Sequence, residues 1–226
     1  MVRVLAIESS GSVGGVSLVE DGQVRAERLF EKGMVHGRDI APAVEILSRE
    51  ERWPLESLDL VAVDIGPGSY TGLRVGLAAA KGFCLALNKP IVGVVSLDAL
   101  VESEPGKGSL ICPTLDVKWD QIYGAIYREG LRASEIYAEK PEEFAARIPA
   151  GAVVIGSAVE KHGDLFQKRG AVIGTARHPS PAKVGLLGER AWKSGVRHHV
   201  ATLVPLYLRL TDAELRGKFV ELRDRH

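Results

Sequence analysis

The chain has 226 residues, 46% of them hydrophobic, enough for one large domain or two small ones with a substantial core. Lys and Arg number 29 and so do Asp and Glu, giving a formal net charge of zero. That balance excludes a chain that holds nucleic acid or anionic membrane by charge alone, although not one that meets nucleic acid through a partner.

Residues 2–8, VRVLAIE, are apolar and rich in β-branched side chains and are predicted to form a buried strand. The run is too short for a secretory leader, and no stretch approaches the roughly 18 apolar residues of a membrane span, so a soluble cytoplasmic protein is expected. Residues 14–20 read as a second strand. Asp21 and Gly22 suit a tight hairpin turn, and 23–30 alternate as a third strand, which makes an antiparallel meander. A helix is expected over 38–50, where Ile40, Val44 and Leu47 share a face. Pro42 lies near its start and would kink a helix that began earlier. Residues 58–65, LDLVAVDI, read as a strand covered on both faces. A glycine-rich turn, a helix over 71–87, a strand over 89–94 and a short helix N-capped by Ser96 follow. Cys84 and Cys112 sit in apolar settings and read as buried thiols of a reducing compartment.

The order βββαβαβα is the plan of the ribonuclease-H-like fold shared by actin, sugar kinases and Hsp70, which usually carry it twice. A second copy starts at residue 110: LICPTLD parallels VLAIES, and QIYGAIYREG parallels GGVSLVEDG. A strand over 151–157 and a helix over 180–194, with Val184, Leu187 and Ala191 on one side, complete it. The expected architecture is α/β, with two actin-like (ASKHA) subdomains over 1–103 and 109–226, the second abbreviated. A Gly/Pro/Ser-containing linker joins them.

The turn DIGPGSYTGLRVG, residues 64–76, matches neither the phosphate loop G-x-x-x-x-G-K-[ST] nor the dinucleotide fingerprint G-x-G-x-x-G, because the third glycine falls one residue late. Packing explains it better. Gly66 and Gly68 are expected to take positive φ at a tight strand-to-helix turn, and Ser69 or Thr71 to cap the helix. Gly72, Gly76 and Ala79 or Ala80 form a small-residue ridge. Glycine inside a helix costs about 1 kcal/mol relative to alanine. A helix carrying Gly72, Gly76 and Gly82 is therefore expected to have something pressed against it, either a neighbouring helix of the same chain or a helix of another protein.

GPGSYTGLRVGLAAAKG, residues 66–82, closely resembles the characteristic segment of the TsaB (YeaZ) family, the non-catalytic relatives of the TsaD proteins. Residues 5–24, 36–50, 90–100, 114–127, 178–192 and 205–209 resemble further family segments. Glu8 stands where Asp is usual, Ile65 where Arg is common, and DVKWDQ where Asp-Ala-Arg is commoner. The resemblance implies a scaffold subunit for making N6-threonylcarbamoyladenosine beside the anticodon of tRNA. In that family TsaD transfers the threonylcarbamoyl group, TsaB binds and supports TsaD, and TsaE, an ATPase, joins them. TsaB forms a homodimer when TsaD is absent, and tRNA is met indirectly through the complex. The family uses its two N-terminal helices as the interface. The partner-binding residues expected here are accordingly Ile40, Val44, Leu47, Gly72, Arg74, Val75, Gly76, Ala79, Ala80 and Phe83.

The catalytic relatives bind a metal through two histidines on the third helix of the first half. The matching stretch, residues 94–102, has none, so neither a metal site nor a catalytic residue is expected, and a metallopeptidase is disfavoured. Glu8 and Asp116 occupy the two strand-end positions of the actin-like cleft. With Ser9 and Ser10 they are either the remnant of a nucleotide cleft or ordinary turn residues; the glycine-rich loop 9–15 could still cradle an anion. No tightly bound cofactor is expected, ATP and magnesium being used by the complex through partners. The alternative is an autonomous ATP-dependent kinase of the same fold. Arg74, Lys81 and Lys118 read as polar contacts or solvated surface, and Trp119 and Tyr123 as ligand-stacking, rim or core aromatics. Leu215, Phe219 and Leu222 form a helical stripe that would dock on this chain or on a partner, or belong to a frayed tail.

Overall fold

The computed structural model describes residues 1–30, 36–105, 110–117 and 119–208, with His36 described by its backbone alone. Lys118, the stripe of Leu215, Phe219 and Leu222, and most of the expected linker lie outside the described residues.

The opening meander forms as expected: β1 (Arg3–Glu8), β2 (Gly15–Glu20) and β3 (Gln23–Leu29) are antiparallel neighbours. α1 (His36–Glu50) begins two residues early and carries exposed Pro42 in its second turn. β4 (Leu60–Gly66) pairs parallel to β1, α2 (Tyr70–Leu87) follows, and β5 (Ile91–Val95) pairs parallel to β4. The first sheet therefore has the order β3-β2-β1-β4-β5. Its central strands are apolar on both sides because helices cover both faces. Leu5, Ile7, Val61 and Val63 pack with Ile40, Val44 and Leu47 of α1 and with Leu77, Ala80 and Cys84 of α2. Val4, Ala6, Leu60 and Ala62 pack on the opposite side. α3 (Ser96–Ser103) follows β5 directly. Ser96 does not cap it; its hydroxyl reaches back to Asp64 instead.

The second sheet has β6 (Leu110–Val117) at its centre, antiparallel to β7 (Gln121–Gly124). A short hairpin, β8 (Tyr127–Arg128) and β9 (Leu131–Arg132), leaves its side, and β10 (Tyr137–Glu139) pairs with β7. α4 (Pro141–Arg147), β11 (Val153–Ile155), α5 (Val159–Lys168) and β12 (Val172–Ile173) complete it. The order β10-β7-β6-β11-β12 repeats that of the first sheet with smaller strands. α4 and α5 are not among the expected elements.

The expected extent of the second subdomain, 109–226, needs correction. α6 (Pro181–Lys193) packs on the first sheet: Gly185 lies against Ala6 and Val19, and Gly188 against Ala62. The chain beyond it straps the β5 edge. His198 bridges to Ile91, its Nδ1 accepts the Gly93 N–H at 3.2 Å, and Leu203 enters the first core. The physical reason is coverage, since β1 and β4 have apolar side chains on two faces and α1 and α2 cover only one.

Candidate functional site

The site is built around the turn between β4 and α2. Gly66 sits at φ +104°, a conformation that glycine alone adopts freely, and the Gly66–Pro67 peptide is cis. Asp64 Oδ1 accepts the Gly66 N–H at 2.6 Å. Gly68, expected to take positive φ, does not; its Cβ would overlap the Ser10 carbonyl. The Ser69 N–H donates to Ser10 O at 2.7 Å, and Ser69 Oγ caps α2 by accepting the Gly72 N–H at 3.2 Å. A strand end and a helix start are thus fastened to the loop after β1.

The glycine ridge faces inward. A Cβ on Gly72 would collide with the carbonyl oxygen of Ser9, and one on Gly76 with the Ser9 hydroxyl. Ala80 is also fully buried. What presses on these small residues is neither of the alternatives expected: it is Ser9, in the loop directly after β1 of the same chain. The same correction applies to Ile40, Val44 and Leu47, which are core residues between α1, α2 and the sheet. Val75, Ala79 and Phe83 are half-buried and pack against that core, and only Arg74 of the expected set is exposed.

The outward stripe of α2 consists of other residues: Thr71, Arg74, Ala78, Gly82 and Leu85 recur at helical spacing and are exposed. Leu85 is 75% exposed, and among the described residues nothing lies within 4 Å of where a Cβ on Gly82 would be. The stripe continues onto the strap. The Arg74 guanidinium lies 4.0 Å from the Tyr70 ring centroid and 5.6 Å from that of Tyr207, and its Nε donates to Tyr207 Oη at 2.8 Å. The Leu206 N–H donates to Ile65 O at 2.7 Å, and Lys81 Nζ to Ala201 O at 3.2 Å. Tyr70, Tyr207 and Leu85 are absent from the sequence-derived set. Their spacing is visible, but their exposure depends on which side of α2 the sheet takes.

The expected cleft residues Glu8, Ser9 and Ser10 are buried under the turn and line no opening. Glu8 lies beside Asp64 on the adjoining strand, and Asp64 is also fully buried. Glu8 Oε1 accepts the Ser10 N–H at 2.7 Å and the Ser10 hydroxyl, and Asp64 Oδ1 accepts from Gly66 and from the Ser96 hydroxyl at 2.6 Å. Burial raises the Glu8 carboxyl well above its usual range, and the neighbouring Asp64 raises it further. Burial likewise raises Asp64, against the opposing effect of its Ser96 and Gly66 donors. The sequence signal for Asp64 was a lone acid inside the apolar run LVAVDI. Asp116 takes its partners from the second sheet: Lys161 Nζ binds its carboxylate, His162 Nε2 lies 3.9 Å away, and its N–H donates to Ser157 Oγ at 3.0 Å. A magnesium nucleotide does not fit Glu8 and Asp64, because one oxygen of each already accepts two donors and both side chains are fully buried. Tyr123 is a core aromatic, whereas Trp119 is 70% exposed on the β6–β7 turn. Cys84 and Cys112 are free and buried, and burial pushes their thiols up to about 11 and about 12. No helix among the described residues is long and apolar enough to cross a membrane.

Two such sheets, each with a ββ meander feeding parallel strands, define an actin-like protein. The ROK hexokinase of Thermus thermophilus shares the fold at a TM-score of 0.56 and 9% identity, over 85% of this chain and 100% of that one. The family model described as TsaD, tRNA N6-adenosine threonylcarbamoyltransferase, matches residues 33–216. The chain belongs to that family, in its TsaB (YeaZ) branch. The tRNA threonylcarbamoyladenosine biosynthesis protein TsaB of Bacillus subtilis is 28% identical, over 97% of this chain and 99% of its own length. YeaZ from Pseudomonas aeruginosa superposes with a TM-score of 0.81 at 22% identity, over 92% of this chain and 100% of that one. Kinship to TsaB supports a role in tRNA threonylcarbamoyladenosine biosynthesis.

Proposed function

We propose that this chain is a non-catalytic scaffold that binds a TsaD protein through the exposed side of α2, with TsaE joining the pair. It meets tRNA only through the complex, in the cytoplasm, and pairs with a second copy of itself when TsaD is absent. ATP and magnesium are used by the partners. The observation that carries this reading is Gly82. A glycine in the middle of an 18-residue helix costs about 1 kcal/mol relative to alanine. Gly72 and Gly76 have an intramolecular reason in Ser9, whereas Gly82 has open space around it among the described residues. With Ala78 beside it and Leu85 exposed beyond, it forms a small-residue seat with an apolar edge, suited to another helix. The sealing of Glu8 and Asp64 supports a chain that leaves the chemistry to its partner.

The test is capture of purified TsaD by the full chain, followed by tRNA modification with and without it. Gly82→Arg or Ala78→Arg is expected to weaken TsaD capture at least tenfold, corresponding to about 1.4 kcal/mol, without lowering the unfolding midpoint. Gly76→Arg is expected to unfold the protein. Undiminished capture by both outward variants removes α2 as the interface.

A further inference from the structure

We propose that Glu8 and Asp64 share a single proton at neutral pH, and that this proton latches the turn that launches α2. The geometry leaves few alternatives. The parallel register sets Ile7 opposite Val63, the next residues Glu8 and Asp64 bring their carboxyls together, and neither has measurable exposure. Their outer oxygens are saturated, Glu8 Oε1 by the N–H and hydroxyl of Ser10, Asp64 Oδ1 by the Gly66 N–H and the Ser96 hydroxyl. Glu8 Oε2 and Asp64 Oδ2 are sealed from solvent with no partner except the opposing carboxyl. Two adjacent buried anions repel at low dielectric, and one proton between the inner oxygens turns that repulsion into a hydrogen bond.

Among the described residues, no cation sits where it would relieve the pair. The donors that meet it, Ser10, Gly66 and Ser96, do not titrate. On α3, Asp98 is bonded by the Tyr127 hydroxyl and Glu102 pairs with Arg190 of α6. On α6, Glu189 and Lys193 pair with each other, and Lys183 is half-exposed. α6 meets this side of the sheet with Gly185 against Ala6 and Gly188 against Ala62. On α2, Arg74 is engaged by the tyrosines and Lys81 by the Ala201 carbonyl. His178 stands beside Gly11, further along the loop after β1.

The residues that hold the outer oxygens are those that build the turn. Ser10, bound to Glu8, supplies the carbonyl that accepts the Ser69 N–H, and Asp64 holds the Gly66 N–H. Loss of the proton therefore loosens both supports of the α2 N-terminus. The folded state holds a proton that an unfolded Glu8 releases in the ordinary carboxylate range. Stability from the pair is thus fully present at low pH and falls as pH rises toward the shifted value.

Infrared spectroscopy of the wild-type chain at neutral pH is expected to show a protonated carboxylic acid band that is lost in Glu8→Gln and in Asp64→Asn. Because the new side-chain amide of Glu8→Gln donates where the proton stood, this variant should also flatten the pH dependence of unfolding. The wild-type folding constant should fall more steeply by about tenfold per pH unit, the slope of one proton. At alkaline pH the Gly66 and Ser69 amides should exchange faster in wild type than in Glu8→Gln. A wild-type spectrum without the band overturns the proposal, as does a Glu8→Gln chain with the wild-type slope; the spectrum needs no variant to fold. Weaker TsaD capture at alkaline pH is a further consequence that rests on the partner-binding reading. If the band and slope appear but capture does not respond, that reading fails and the latch stands.

Discussion

Gly76 and Gly82 share a helix, and a methyl group added to each meets opposite surroundings. At Gly76 it would enter the Ser9 hydroxyl, so Gly76→Ala is expected to cost about 1–3 kcal/mol, the usual range for overpacking. At Gly82 it would meet open space, so Gly82→Ala is expected to stabilise by up to about 1 kcal/mol through helix propensity. Urea unfolding of the two variants checks both signs. Glycine spacing alone shows that α2 has a bare ridge, but it does not distinguish a ridge turned toward Ser9 from one turned toward another molecule. The same limit applies to charge. Glu8 was legible as a strand-end acid and Asp64 as an acid within an apolar run, but their pairing required β1 and β4 to be neighbours. A second Glu shows how location decides role: Glu8 is held by Ser10 beneath a turn, whereas Glu27 on the exposed edge strand serves a helix.

At the scale of elements, that helix is α6. Ser180 precedes it but makes no side-chain cap; Glu27 Oε1 of β3 accepts the Ala182 N–H at 2.8 Å and the Ser180 hydroxyl at 2.6 Å. A carboxylate borrowed from another element thus satisfies the helix start, where the exposed N–H groups favour an anion. Glu27→Ala is expected to cost about 1 kcal/mol, the typical value of a lost cap, and to speed amide exchange in the first turn of α6. The periodicity of Val184, Leu187 and Ala191 was enough to predict this helix, and the apolar runs of β1 and β4 were enough to predict strands covered twice. Which helix covers which face was not legible, because an apolar stripe specifies that something must be covered and not by what. The strap over β5 escaped because its anchors, His198, Leu203 and Leu206, follow no period; each is fixed by a contact distant in sequence.

Across the whole molecule, the two sheets are fastened by a few buried polar contacts. Glu104, just past α3, accepts the Ala176 N–H at 2.7 Å and the Thr175 N–H at 3.0 Å, and the Tyr127 hydroxyl donates to Asp98 on α3. Glu104→Ala leaves those two N–H groups without their acceptor. It is expected to cost about 3 kcal/mol, as for hydrogen bonds to a charged group, with chemical unfolding monitored by amide exchange in each sheet. Exchange that rises in the second sheet before the first would mark Glu104 as the coupling between them. The sequence by itself determined the order βββαβαβα of the first half, the start of a second copy at residue 110, the capped glycine turn and the family, because strand alternation, helical periodicity and turn composition are local properties of the chain. Only the tertiary structure decided that α6 returns to the first sheet, that the glycine ridge of α2 is occupied by Ser9 while Gly82 is left open, and that two acids meet beneath the turn. Each of these depends on which surfaces the chain brings together, and burial and charge coupling exist only between surfaces already in contact.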